Sequence, residues 1–194
     1  MNKYPTIAAI ATPLMKCAIH VIRISGSDCY EIVNRVTSKK IKKDGYTIQH
    51  VNIYDHDKVV DDVLVLKYVA PKSYTGEDMV EITCHGSPFI ASKIVELLVI
   101  NGAKVARPGE FTKRAFLNNK LNLLQAEGIN NLINSNSNAS LKIAHKSIDK
   151  KTSEQITKIA SSLFQIIGQV EVNIDYITDL EPTQERVTKR LGEV

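Results

Sequence analysis

The sequence changes character near residue 120, and this change limits the folds that the chain can adopt. Five of the six prolines lie before that point, among short runs rich in β-branched residues. After it, apolar residues recur with helical spacing that is interrupted by Gly128 and Gly168. We therefore predict an α+β domain over residues 1–120, followed by an all-α segment over residues 121–194.

The first region alternates predicted strands with predicted helices. Strands are predicted at 18–24, 46–54, 59–69 and 80–85, from β-branched content and alternation. Asp28 and Glu31 have the spacing of a capping box at the start of a helix. Ser87-Pro88 predicts the start of a second helix, which Asn101-Gly102 ends.

The second region predicts one short and one long helix. The short helix begins near Asn122, and the long helix runs from about Ser140 to Tyr176, which is roughly 50 Å at the usual helical rise. Apolar residues step along the long helix by three and four positions, at Ile156, Ile159, Leu163, Ile166 and Val170. Such a stripe needs partner helices, and residues 179–194 lose the periodicity.

Composition excludes several classes of protein. The chain has 194 residues, 43% of them hydrophobic, which is too apolar for a disordered protein. No apolar run approaches the roughly 18 residues of a membrane span, and residues 1–12 lack the pattern of a secretory signal. Three cysteines form no disulfide framework, so we expect a cytoplasmic protein. The net charge of +4 permits contact with nucleic acid without requiring it.

General catalytic motifs are missing from the sequence. It contains no Gly-Lys pair, and hence no Walker A loop for GTP or ATP. The histidines and cysteines lack zinc-site spacing, and Cys84 and His85 would point to opposite faces of a strand. We therefore expect no catalytic residue and no metal ligand in this chain.

Three stretches are richer in polar and turn residues than their surroundings require. The first is Arg23 to Gly26. The second is Ser73 to Asp78, which is followed by Glu81 and His85-Gly86. The third is Arg107 to Leu121, which is followed by Gln125 to Glu127. Each has a structural alternative: Arg23 as a surface cap, the second stretch as a turn, and Pro108-Gly109 as a turn before a helix. Glu81 alone could simply belong to the solvent face of a strand.

In this order and spacing, the stretches resemble a known family. The matching strings are TIAAIATP at 6–13, RISG at 23–26, APKSYTGEDMVEITCHG at 70–86 and ARPGEFTKRAFLNNKLNLLQAE at 106–127. They are similar to the tRNA modification GTPase family MnmE, also called TrmE. The resemblance covers residues 6–176, and the block at 106–127 is long enough to make chance similarity improbable.

The resemblance implies a fold and a division of labour. Members of the family have an N-terminal folate-binding domain, which resembles the aminomethyltransferase of the glycine cleavage system and dimerises. A helical domain follows, with a Ras-like G domain inserted in it. On this basis residues 121–194 are the first half of the helical domain, ending before the G domain, where GTP, Mg²⁺ and K⁺ would bind.

The resemblance also implies a reaction. With the flavin enzyme MnmG, such proteins modify C5 of the wobble uridine in tRNA, and they hydrolyse GTP during the cycle. The one-carbon unit comes from a tetrahydrofolate, bound as 5-formyltetrahydrofolate near the interface of a homodimer. No membrane partner is implied.

Three residues match the folate contacts of the family: Arg23 in R-x-S-G, Glu81 in the acidic run, and Lys120 in N-x-K-L. The residue types suit a folate. A carboxylate can accept the paired N–H groups of a pterin, and Arg and Lys can pair with the carboxylates of its tail.

Two alternatives remain open from the sequence. The first is a scaffold that dimerises and docks MnmG or tRNA without binding folate. The apolar stripe and the net charge favour it. So does the stretch Leu14 to Ala18, where the family has a Gly- and Arg-rich stretch. A stand-alone enzyme of the aminomethyltransferase type would share the fold, but the long helical region argues against it.

Overall fold

The structure, a computed structural model, describes residues 4–41 and 47–175. The chain divides into two compact units, the first ending at Leu121 and the second beginning at Asn122. The first predicted helix lies within the described residues and ends at Asn34. Residues 179–194, where the sequence predicts a loss of helical periodicity, lie outside them.

The first unit is built on one six-stranded sheet. Its strands are β1 (Ile7–Ile10), β2 (Ile19–Ser25), β3 (Ile48–Asp55), β4 (Lys58–Tyr68), β5 (Met79–His85) and β6 (Lys104–Val105). They are ordered β3-β4-β5-β2-β1-β6. Neighbouring strands are antiparallel except β1 and β6, which are parallel. The sheet is therefore mixed, and β3 and β6 are its two edges.

Helices cover one face of this sheet. The helix α1 (Cys29–Asn34) contacts β5, and α2 (Pro88–Ile100) contacts β1, β2, β4 and β5. On β5 the alternate residues Val80, Ile82 and Cys84 are buried, while Glu81 and Thr83 are less so. The alternation turns every second side chain toward the helices and the others toward the opposite face, which we call the open face.

A short helix, α3 (Glu110–Leu117), completes the first unit. Together the mixed sheet and the three helices confirm the predicted α+β class.

In its described residues, 122–175, the second unit is helical, as predicted. It consists of α4 (Leu123–Ile133), α5 (Asn138–Ile148) and α6 (Lys150–Asp175). Asn122 caps α4 through a capping box with Gln125. Gly128 lets α4 approach α5 closely, because an added Cβ would lie 2.9 Å from Cγ1 of Ile148.

The predicted long helix from Ser140 to Tyr176 is wrong as a single element. It is divided at Asp149, whose ψ of 129° is extended. The Asp149 carboxylate accepts a hydrogen bond from the backbone N–H of Lys151, 3.1 Å away, and so satisfies a donor at the start of α6. At 26 residues, α6 remains the longest helix described.

The apolar stripe of α6 is largely exposed. Four of its five residues keep 41–53% of their surface accessible, namely Ile156, Ile159, Leu163 and Val170. Among the described residues of the second unit, the buried hydrophobic side chain is that of Ala144. None of the described helices is both long and apolar enough to cross a membrane.

Candidate functional site

The centre of the candidate site is a pair of charged residues on the open face. Arg23 of β2 and Glu81 of β5 are direct cross-strand partners in the sheet. The Nε and Nη2 of Arg23 both donate to Oε1 of Glu81, at 2.9 and 2.7 Å. The side chains are 24% and 16% exposed, so the pair is largely shielded from solvent but retains some accessible surface.

Tyr68 at the end of β4 engages the other oxygen of this carboxylate. Its hydroxyl donates to Oε2 of Glu81 at 3.1 Å. Burial and the adjacent negative charge of Glu81 raise the pKa of Tyr68, so the phenol remains a protonated donor near neutral pH. Both oxygens of Glu81 therefore have an internal partner.

Aromatic rings lie against the guanidinium of Arg23. Its Cζ is 5.0 Å from the ring centre of Tyr74 and 5.5 Å from that of Phe111. Cation–π contacts of this kind fix the plane and position of an arginine. The Tyr74 ring is held in turn by a hydrogen bond of 2.8 Å between its hydroxyl and that of Thr112.

The three polar stretches that the sequence singled out meet here. Ser25, from the first, donates to Glu77 of the second at 2.7 Å and shares a 2.7 Å hydrogen bond with Thr75. Arg114, from the third, donates to Glu77 at 3.1 Å and is only 3% exposed. Two of these bonds are charge-assisted by the Glu77 carboxylate, and together the bonds fix the stretches to one another.

Close backbone packing supports the same region. Gly26 has a φ of +136°, and an added Cβ would lie 2.5 Å from Oγ1 of Thr6. At Gly86 an added Cβ would overlap the carbonyl of Cys17. Both positions therefore exclude a side chain in the conformation that the chain adopts.

Lys120 lies beside the second stretch and is exposed. An added Cβ on Gly76 would lie 3.0 Å from Cγ of Lys120. Nearby, the side-chain amide of Asn118 donates to the carbonyl of Thr75 at 2.8 Å. In the described part of the chain, no carboxylate lies within ion-pair distance of the Lys120 amine. The structure thus joins Arg23 and Glu81 directly, whereas Lys120 is near residues 75–76 without bonding to either.

Sequence reasoning missed the aromatic components of the site. Tyr68 does not stand out by spacing, because its position depends on strand register. Tyr74 and Phe111 lie within stretches that the sequence selected, but nothing in the pattern placed their rings on Arg23. For Phe111 this depends on how α3 returns toward the sheet.

A second polar cluster lies on β4 and β5, toward the β3 edge of the sheet. Carboxylate oxygens of Asp61 and Asp62 and a nitrogen of His85 all lie within 4.8 Å of one another. Asp61 is buried and accepts from both the backbone N–H and the Nδ1 of His85, at 2.8 and 2.7 Å. The hydrogen bond to Asp61 raises the pKa of His85. No spacing in the sequence marks these three residues as ligands.

Chemically, the open-face site offers an oriented carboxylate, a guanidinium and two aromatic rings. Such a set can bind a flat, polar heterocycle that donates hydrogen bonds, together with an anionic group. The nearby Cys84 suits thiol chemistry poorly, since burial raises its pKa to about 11.

Comparison with known proteins gives two family matches. The family described as GTP-binding protein TrmE N-terminus matches residues 6–120, and the MnmE helical domain matches residues 123–194. Proteins named tRNA modification GTPase MnmE are similar over most of the chain. The relative from Malacoplasma penetrans is 51% identical over 171 residues, covering 88% of this chain and 38% of its own length.

More distant relatives extend the similarity. The MnmE of Mycoplasmoides gallisepticum is 48% identical and covers 91% of this chain, and that of Thermotoga maritima is 38% identical and covers 97%. These matches span 39% and 42% of the two relatives. The chain therefore spans about two fifths of the length of the curated relatives that it matches.

Proposed function

The chain belongs to the MnmE (TrmE) family of tRNA modification GTPases, and on that premise we propose that its first unit binds a tetrahydrofolate one-carbon donor. The ligand class is represented by 5-formyltetrahydrofolate. Arg23, Glu81 and Lys120 are the proposed contact residues. The folate supplies the one-carbon unit, and the side chains of this unit hold and orient it.

The pairing of Arg23 with Glu81, flanked by Tyr74 and Phe111, is the observation that supports this proposal. A pterin has adjacent N–H donors that match a carboxylate, and a flat ring that packs on aromatic side chains. The tail of a folate carries carboxylates, for which the exposed amine of Lys120 is a suitable partner.

Glu81 can accept a pterin only by exchanging partners. A carboxylate has about four acceptor positions, two on each oxygen. Two Arg23 donors engage Oε1 and the Tyr68 hydroxyl engages Oε2. A ligand donating to both oxygens must therefore displace at least one Arg23 donor, and the cation–π contacts would hold the released guanidinium in place.

For the whole protein we propose the family's activity. It would act as a homodimer in the cytoplasm with a MnmG-type flavin enzyme, modify C5 of the wobble uridine in tRNA, and hydrolyse GTP with Mg²⁺ and K⁺ at a G domain. In this division of labour the 194 residues position a cofactor and break no bond themselves.

Calorimetric titration of the chain with 5-formyltetrahydrofolate tests the proposal, after light scattering has established the size of the particle. We expect saturable binding, and Glu81→Gln and Arg23→Ala should each weaken it by more than tenfold. A tenfold loss is about 1.4 kcal/mol, the size of a lost charge-assisted hydrogen bond.

The matched control is Glu96→Gln, which removes the same charge from α2, where Glu96 pairs with Lys93 at 3.3 Å. It should bind like the wild type, and all variants should retain the thermal unfolding midpoint within a few degrees. Unchanged affinity in both site variants would remove Arg23 and Glu81 from the site.

The scaffold function has one observation in its favour. The stripe on α6 is about half exposed, as an interface for other helices would be. A folded chain that binds no folate, yet binds tRNA or a MnmG-type protein, would support the scaffold in place of the cofactor function.

A further inference from the structure

A cavity lies at the β6 edge of the sheet, away from the Arg23–Glu81 pair. It encloses about 490 Å³ and is formed by the N-terminal approach to β1, by β6, and by α3. Four cationic side chains line it: the buried Arg114 and the exposed Lys104, Arg107 and Lys113. We call this feature the basic cavity.

The three exposed cations of the basic cavity are available to a ligand. None of them has a carboxylate within ion-pair distance in the part of the chain that the structure describes. The acidic residue of the cavity, Glu110, is already engaged. It accepts from Nη2 of Arg114 at 3.0 Å and from the backbone N–H of Arg107 at 2.8 Å.

The cavity has a rigid floor. Arg114 is 3% exposed and donates to Glu77, Glu110 and the carbonyl of Pro5. The two carboxylates more than offset its single charge, so the positive field of the cavity comes from the three exposed cations. Gly109 on the rim has no atom within 4 Å of an added Cβ, so the backbone there can be approached closely.

The opposite edge of the sheet differs in its charges. There Lys93 pairs with Asp55 at 3.0 Å, His50 contacts Asp62 at 3.0 Å, and His85 contacts Asp61 at 2.7 Å. Lys93 and the two histidines near β3 and β4 thus each have a carboxylate partner, whereas Lys104, Arg107 and Lys113 near β6 have none among the described residues. An anionic partner that approaches the first unit would be attracted to the β6 edge.

We propose that the basic cavity binds the phosphate backbone of the RNA substrate. This inference rests on the proposed function, which makes tRNA the substrate. Arg and Lys at the edge of a concave surface are the usual contacts for successive phosphates, and they act through charge and not through base sequence. Three such contacts would position an RNA on this edge while leaving the open face to the cofactor.

The test measures binding of an unmodified tRNA transcript, with uridine at the wobble position, to the full 194-residue chain across a series of salt concentrations. The variant Lys104→Ala/Arg107→Ala/Lys113→Ala should lower the slope of log K against log salt by about 2 to 3, close to one per phosphate contact. At about 0.1 M salt its affinity should fall by roughly tenfold or more.

A matched control removes the same charge from the other edge. Lys39→Ala/Lys40→Ala/Lys58→Ala changes three exposed lysines around β3 and β4. It should alter the affinity by less than threefold. An equal loss in the two triple variants would mean that binding follows net charge alone, and would overturn the proposal, as would unchanged RNA binding in the cavity variant.

Titration of the same proteins with 5-formyltetrahydrofolate separates this proposal from the proposed function. The cavity variant should bind folate like the wild type. Loss of folate binding with RNA binding intact would make the cavity a site for the folate tail, and would overturn the RNA assignment. A wild-type chain that binds folate but not tRNA would overturn this inference and leave the cofactor function standing.

Discussion

At Glu81, internal hydrogen bonds and a bound pterin would compete for the same two oxygens. Arg23 and Tyr68 are the two internal partners of this carboxylate, and they differ in how else they are held. Arg23 keeps its cation–π contacts if it releases Glu81. Tyr68 contacts the carboxylate through its hydroxyl alone. The cost of opening the site therefore depends on which partner yields.

Tyr68→Phe separates the two contributions. It removes the hydroxyl that engages Oε2 of Glu81 and keeps the ring. Because Oε2 has a second acceptor position for the pterin, the affinity for 5-formyltetrahydrofolate should change by less than about twofold. Calorimetric titration measures the change. Tyr54→Phe on β3 is the control, and should have no effect. A weaker affinity in the Tyr68 variant would show that its hydroxyl contacts the ligand.

His85 gives the first unit a pH-dependent contribution to stability. Its hydrogen bond to Asp61 raises the pKa of His85 above 6.5. Because the folded-state pKa is raised, the protonated imidazole stabilises the fold fully below pH 6.5 and this contribution is lost as pH rises through the higher value.

Proton NMR titration of the imidazole should detect the raised pKa, and Asp61→Asn should lower it toward 6.5. Over the same range, the unfolding free energy of the wild type should decline with rising pH more than that of the variant. A His85 pKa that Asp61→Asn leaves unchanged would contradict this account.

At the scale of elements, the second unit has two helical glycines, and an alanine in place of each would meet different surroundings. Gly128 faces α5, with Cβ of Ser147 at 3.0 Å and the backbone N of Ile148 at 3.2 Å from an added Cβ. Gly168 of α6 has nothing within 4 Å. By helix propensity alone, alanine in place of either glycine should stabilise the helix by about 1 kcal/mol.

Gly168→Ala should therefore stabilise the second unit by up to about 1 kcal/mol. Gly128→Ala should destabilise it, because α5 must move away from α4 to admit the methyl group. Urea unfolding followed by circular dichroism compares the two. Equal stabilisation by both substitutions would mean that α4 and α5 pack less closely than described.

Local sequence predicted elements well where local contacts decide them. The alternation along β5 is present, and α4 begins directly after Asn122 as predicted. The capping box predicted at Asp28 and Glu31 is wrong: the Asp28 side chain caps nothing, and Glu31 pairs instead with Arg35 at 2.6 Å. There the contact of Gly26 with Thr6 determines how the chain enters α1, and no local pattern encodes it.

The break at Asp149 was missed for a related reason. It contains neither glycine nor proline, and aspartate is compatible with both a helix interior and a helix start. The candidate site divides in the same way: motifs identified Arg23, Glu81 and Lys120 as proposed contacts, whereas Tyr68 and Phe111 required strand register and the path of α3.

For the whole molecule, each unit has a distinct surface to offer. The first unit has an open face with a polar, aromatic site, and a basic cavity at one edge of its sheet. The second has a long helix with an apolar stripe that its described helices leave about half exposed. The account therefore assigns cofactor and RNA contacts to the first unit, and helical association to the second.

A crystal structure of the chain with 5-formyltetrahydrofolate tests the central claim most directly. The account predicts pterin N–H groups within hydrogen-bond distance of the Glu81 carboxylate, with the ring beside Tyr74 and Phe111. It also predicts that Arg23 gives up at least one donor to Oε1. A pterin bound away from Glu81, with the Arg23–Glu81 pair unchanged, would contradict it.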